Sequence, residues 1–349
     1  MTPAAPLVSV GLPVYNGAHY LREAVESVLG QTYANLELVL SDNASTDDTE
    51  AICREYAARD PRVRYHRAEW NRGAVWNFNA AFALARGEYF MWQAADDARH
   101  PECVARCMAA LRARPDAVLC CAGVTPMHED GREMAPADCP VAIPPVGPTP
   151  ELRLRALAHS NYWYDFYGLA RAAALRRTRL CRPVWGFDVV LLWELCLLGP
   201  VVLADGPLFR YRLFRKKSGS DAASTLGADA VAERIPLNWT EFSLEMLRAT
   251  REAPLPAARR LRLAAQFLGG YLLGNPVLRR GLVYRDVQQA ADRALRSGGP
   301  RALAGVLLFG AGALPSVLVG RAVARAVGPA RRHLARAPGR SARRERIAE

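Results

Sequence analysis

The sequence predicts an α/β fold, with a mostly parallel central sheet covered by helices over residues 1–220 and a C-terminal helical extension over 221–349. Three observations predict it. Short β-rich apolar runs alternate with amphipathic helical stretches through the first half, the rhythm that pairs strands in parallel. Polar loops follow the ends of three of those strands, and beyond Asp221 the composition turns to Ala-, Arg- and Leu-rich sequence with no internal repeat.

The first strand is expected over Leu7–Leu12, followed by a helix over Tyr20–Leu29 that places Leu21, Val25, Val28 and Leu29 on one face. Leu36–Ser41 is a second strand. After the polar loop Asp42–Asp48, the positions Thr49, Ile52, Cys53 and Tyr56 mark the inner face of the next helix. Val63–His66, Tyr89–Gln93 and Ala117–Ala122 read as further strands, separated by helices over Ala74–Ala85 and Glu102–Ala113. Between Pro126 and Pro150 a Pro-rich stretch without periodicity reads as a linker or lid. A short helix, an aromatic run from Tyr162 to Tyr167 and an apolar helix from Asp188 come next. Two short strands, Val201–Leu203 and Leu208–Leu213, close the domain before a basic tail over Arg215–Ser220.

With 51% hydrophobic and 23% charged residues, the chain is globular rather than disordered. Its net charge of +12 is unevenly spread: from Arg251 onward there are 19 Arg against 5 acidic residues, which leaves the rest close to neutral. Those Arg residues lie among Ala and Leu at amphipathic spacing, without interleaved aromatics, so nucleic acid is not the expected partner. An anionic membrane surface is. Ala302–Gly320 carries no charge over 19 residues, yet Pro315 and several Gly interrupt it. A span, an interfacial anchor and a buried helix pair all remain open there. No secretory signal opens the chain, and the eight Cys lack zinc spacing, so a reduced, cytoplasmic protein peripheral to the inner face of the cell membrane is expected.

In a parallel sheet, ligands bind beyond the carboxyl ends of the strands. Three such ends carry suitable groups: Pro13, Tyr15 and Asn16 with Gly17; Asp42 and Asn43 with Ser45 and Thr46; and Ala94 and Ala95 before Asp96 and Asp97. A carboxylate such as Asp42 can accept the imide hydrogen of a pyrimidine, and Tyr15 can stack on a base. Adjacent Asp96 and Asp97 suit a hard divalent cation whose shell diphosphate oxygens complete. Each group also has an ordinary structural reading. Ser45 with Asp48 fits a capping box, and Asp96 and Asp97 could open the next helix, which contains Pro101 and Glu102.

The sequence resembles the family 2 glycosyltransferases, inverting enzymes of the GT-A fold. The resemblance rests on Val8-Ser-Val-Gly-Leu-Pro-Val-Tyr-Asn16, Leu29-Gly-Gln-Thr-Tyr33 and Glu37-Leu-Val-Leu-Ser-Asp-Asn-Ala-Ser-Thr-Asp47. Asn71-Arg-Gly73, Ala85-Arg-Gly-Glu-Tyr89 and Ala95-Asp-Asp97 continue it in the family's order, over roughly residues 7 to 215. It implies a GT-A-like nucleotide-sugar-binding domain, a UDP- or dTDP-sugar donor, Mg²⁺ or Mn²⁺, and transfer with inversion to a glycan or lipid-linked acceptor of cell-surface polysaccharide synthesis. By position, Pro13, Tyr15 and Asp42 look like base contacts, Asn16, Asn43, Asn71 and Gly73 share the donor-binding motifs, and Arg72 approaches the nucleotide. Asp96 resembles the ribose-contacting carboxylate and Asp97 the metal ligand. Asp188, in Trp185-Gly-Phe-Asp188, matches the catalytic base, with a helix N-cap as its plain alternative and Asp165 in reserve.

Two positions depart from the family. Many members carry a further acid where this chain has Ala94 and Ala95, and many place a His after the last strand where Leu213-Phe-Arg-Lys-Lys217 has none. Both departures keep a second reading open, a catalytically silent sugar-nucleotide-binding or scaffold protein of the same fold.

Overall fold

The computed structural model describes residues 5–135, 143–160, 162–214 and 238–272. Strand β1 (Val8–Val14) is buried on both faces, as a central strand of a covered parallel sheet must be. It pairs in parallel with β2 (Leu36–Asp42) on one side and β4 (Tyr89–Trp92) on the other, while β3 (Val63–Arg67) extends β2. The intervening helices are α1 (Ala18–Leu29), α2 (Thr49–Arg59) and α3 (Ala74–Ala83). Helix α1 buries Leu21, Ala24, Val25 and Val28, one stripe at helical spacing. Helix α2 buries Thr49, Ile52, Cys53 and Tyr56, the four positions its periodicity marks.

The sheet has eight strands in the order β3-β2-β1-β4-β7-β6-β8-β5. Strand β5 is Ala98–Arg99, β6 is Leu119–Met127, β7 is Leu169–Arg171 and β8 is Val201–Arg212. The uninterrupted parallel run expected from the βαβ rhythm stops at β4. Strand β7 inserts between β4 and β6, antiparallel to both, and β5 pairs antiparallel with β8. With three and two residues respectively, β7 and β5 are too short to show periodicity. The two short strands expected around 201–213 are one strand parallel to β6, with register shifts around Gly123. Gly206, at φ 91°, takes up the irregularity.

Helix α4 (Cys103–Ala113) covers one face, and α5 (Pro150–His159) and α6 (Ala172–Leu175) follow. A 3₁₀ turn over Tyr164–Tyr167 precedes β7, and α7 spans Phe187–Leu198. On the face opposite α1 the core is aromatic. Trp92 stacks on Phe166 at 4.8 Å and 10°, and Phe78 meets Phe187 at 5.4 Å. This cluster fixes the 3₁₀ turn and the start of α7 beside the end of β4.

Two later helices, α8 (Asn238–Glu252) and α9 (Ala257–Gln266), follow. Helix α8 is tied to α7 through the Trp193 indole N–H, which donates to Thr250 at 2.9 Å. Arg179 adds bonds to Glu194 and Glu245, each at 2.7 Å. The compact unit holding the sheet runs from Met1 to Ala264, and of the second unit only 265–272 is described. The expected boundary at 220, the basic tail and the segment Ala302–Gly320 lie outside the described residues. No helix among the described residues is long and apolar enough to cross a membrane. The seven described cysteines are all buried and free.

Candidate active site at the carboxyl edge of the sheet

The ends of β1, β2 and β4 fall on one edge because the three strands are parallel neighbours, with Val14 opposite Asp42 and Gly11 opposite Trp92. Hydrogen bonds lace the loops beyond them. Asn16 takes a left-handed backbone at φ 51°, which Asn tolerates. Its N–H donates to Ser45 Oγ at 2.9 Å and its Oδ1 accepts from the Thr46 N–H at 2.8 Å. The third loop also approaches: a Cβ on Gly17 would sit 3.4 Å from Ala95. The capping box read from Ser45 and Asp48 does not form. Ser45 is spent on Asn16, Asp48 makes no side-chain cap bond, and Asp47 accepts from the Thr49 N–H at 3.1 Å.

Tyr15 projects from this edge, 47% exposed, whereas Pro13 is buried within β1 opposite Ser41. Asp42 is fully buried. Its Oδ1 accepts from the Ser45 N–H at 2.8 Å and its Oδ2 from the Tyr65 hydroxyl at 2.9 Å, with Arg67 Nε 3.4 Å away. It therefore orders the loop from beneath. Asn43 accepts from the Arg72 N–H at 2.9 Å and donates to Asn71 at 2.7 Å, and Asn71 accepts in turn from the Gly73 N–H. The Arg72 guanidinium lies over the Trp76 ring at 4.2 Å and near Trp70 at 5.6 Å. Sequence reading missed both tryptophans, although an Arg between two Trp within seven residues is a visible signal.

Asp96 and Asp97 do not open a helix; they precede β5, and α4 begins only at Cys103. Gln93 pins their loop by donating to the carbonyls of Ala94 and Asp97 at 2.9 and 2.8 Å. Asp97 Oδ1 accepts from the Arg212 N–H at 2.8 Å, and its buried Oδ2 has no partner. The Arg212 side chain closes the same corner, with Nε donating to the Asp96 carbonyl at 2.8 Å and Nη2 bonding to Glu23. Burial raises Asp96, and burial together with the Asp96 charge holds Asp97 well above the usual carboxylate range. Among the described residues, no group of three or more His, Cys, Asp or Glu is placed to hold a metal by itself.

Asp188 stands in the first turn of α7, whose N-cap is Gly186 in the left-handed region at φ 74°. Burial pushes Asp188 up to about 6, while helix N–H groups, including that of Val189, pull it back. It is thus not the N-cap. Tyr167 and Tyr211 lie between Asp188 and the acidic pair in charge: burial raises both tyrosines, and Asp97, Asp96 and Asp188 raise them further. Asp165 faces elsewhere, toward Cys121, whose thiol bonds to it, and burial raises it to about 6 as well. The fold thus gathers Asp96, Asp97 and Asp188 around two tyrosines, next to the loops holding Tyr15, Asn43 and Arg72.

A curled α/β sheet whose carboxyl edge carries an acidic pair defines a protein of the GT-A class. Residues 9–177 match glycosyl transferase family 2. An uncharacterised glycosyltransferase of Rickettsia typhi is 41% identical over 97 residues, 28% of this chain and 29% of that protein. The chain therefore spans less than a third of that relative's length. Among solved structures, Staphylococcus aureus TarS residues 1–349 with UDP-GlcNAc is similar at a TM-score of 0.63 and 18% identity, covering 94% of this chain and 92% of that one. A mannosyltransferase of Pyrobaculum calidifontis with GDP-Man and Mn²⁺ is similar at a TM-score of 0.50 and 19% identity, covering 92% and 87%.

Proposed function

We propose that the protein transfers a sugar, with inversion, from a nucleoside diphosphate donor to a hydroxyl of a glycan or lipid-linked acceptor. The observation that carries this reading is the Oδ2 of Asp97, buried without a partner beside Asp96 where three strand-end loops meet. A buried carboxylate oxygen left unbonded is costly and invites a cation. The donor set fits Mg²⁺ or Mn²⁺, which take oxygen ligands from one or two carboxylates and leave the other positions to water and diphosphate. Such an ion, when bound, would neutralise charge on the leaving nucleoside diphosphate.

The chain's own residues do the rest. Tyr15 offers its exposed ring to the base. Asn43, Asn71 and Gly73 set the backbone that carries Arg72, whose charge faces the diphosphate, while Asn16 and Asp42 hold the loop beneath. Pro13 shapes the strand end below Tyr15, and Asp96 is placed for the ribose. Asp188 takes the proton from the acceptor hydroxyl as its oxygen bonds to the anomeric carbon. The bond from that carbon to the diphosphate oxygen breaks, and its electron pair leaves with the diphosphate. UDP and dTDP donors are the preferred candidates, as the family resemblance implies, although the enclosed Asp42 is not free to meet the base directly. The basic C-terminal third would hold the enzyme on an anionic membrane surface, near acceptors of cell-surface polysaccharide synthesis.

Thermal unfolding with a panel of nucleotide sugars and Mn²⁺ tests this reading, because a ligand bound to the native state must raise apparent stability. At least one donor should raise the melting temperature of the unmodified chain, and Asp97→Ala should lose that response. No response from any donor would count against the proposal.

A further inference from the structure

An aromatic file leads from the candidate catalytic carboxylates to the surface. Tyr211, near the end of β8, has its ring 4.4 Å from that of Tyr164, and Tyr164 stacks on Tyr162 at 5.5 Å and 19°. The inner end lies in the field of Asp96, Asp97 and Asp188, which act on Tyr211 together with Tyr162. The outer end, Tyr162, is 36% exposed. Its backbone is fixed, since Ser160 Oγ donates to the Tyr162 carbonyl at 2.6 Å and the Trp163 indole N–H donates to Leu157 at 3.4 Å. Nothing in the donor reading uses these rings.

We propose that Tyr162, backed by the buried Tyr164 that joins it to Tyr211, forms the acceptor subsite, a platform for a sugar ring whose hydroxyl is offered to Asp188; this rests on reading Asp188 as the base. A pyranose has an apolar face of C–H groups that packs on an aromatic face, and hydroxyls at its rim that reach phenol oxygens. The acceptor is therefore a chain already ending in a sugar.

The chain has 12 tyrosines, few enough for fluorotyrosine labelling, and Tyr162→Phe identifies the ¹⁹F resonance of that ring. A panel of methyl pyranosides and a short alkyl phosphate are the probes. At least one pyranoside should move the Tyr162 resonance and the alkyl phosphate should not. Tyr162→Ala should weaken that pyranoside about tenfold, the factor for losing one stacked ring, and Tyr162→Phe should bind it nearly as well as the unmodified chain. The proposal is overturned if no pyranoside moves the resonance, if only the alkyl phosphate does, or if Tyr162→Ala binds the pyranoside undiminished. The nucleotide-sugar panel separates the two readings. Donor stabilisation without a pyranoside shift removes the platform alone, whereas a pyranoside shift without donor stabilisation leaves a sugar-binding platform but removes the donor reading and with it the assignment of that platform to an acceptor.

Discussion

At the scale of single residues, two aspartates with the same raised pKa do opposite things. Asp188 is placed as a base, which must be ionised to work, so transfer should rise with pH through about 6 and level off above it. Asp188→Asn should cost ~10²–10⁴-fold in kcat and abolish that limb of the profile, while nucleotide binding by thermal shift persists. Asp165 touches Cys121 rather than the acidic pair, and serves no step of the proposed reaction. Its folded value of about 6 lies above the ordinary value of ~4, so its contribution to stability is full below pH ~4 and lost as pH rises through about 6. At pH 8 the charged, buried group costs about 3 kcal/mol. Asp165→Asn should therefore raise the unfolding temperature at pH 8 and leave it nearly unchanged at pH 4. Equal effects at both values would contradict that account. The sequence made Asp96 and Asp97 visible as an acidic pair at a strand end, and Asp188 through the family resemblance of Trp185-Gly-Phe-Asp188. It could not show that Asp42 is enclosed, because burial by Tyr65 and Arg67 depends on β3 pairing with β2.

At the scale of elements, what could be read was what repeats. Helix α2 buries the four residues its 3.6-residue period marks and α1 three of its four, Leu29 being only partly buried, and β1 to β4 alternate with helices long enough to impose parallel pairing. Strands β5 and β7 escaped because they exist only through their partners. Strand β8 reads as two strands in sequence because Asp205-Gly-Pro207 signals a turn, whereas pairing with β6 carries the strand through it. The start of α7 depends on a single left-handed residue. A Cβ on Gly186 would meet the Phe242 ring at 3.0 Å, in a backbone conformation unfavourable for any L side chain. Gly186→Ala should thus cost ~1–3 kcal/mol in denaturant unfolding. It should also lower transfer although it removes no functional group, since Asp188 begins two residues later.

For the molecule as a whole, charge and chemistry are segregated. The acidic, buried site lies within residues 1–264, and the basic excess lies from Arg251 onward. The full chain should therefore bind vesicles containing anionic lipid, with an affinity that falls steeply as salt rises and is absent for neutral vesicles. Insensitivity to salt would remove the electrostatic reading. Within the sheet, the corner at the end of β8 has a consequence of its own. Tyr211 supplies a ring of the aromatic file, and the very next N–H grips Asp97. A carbohydrate settling on that ring and a metal nucleotide settling on that carboxylate would pull on one peptide unit. Whatever factor the first arrival contributes to the grip of the second must be returned in the other direction, so the two substrates would help or hinder each other symmetrically.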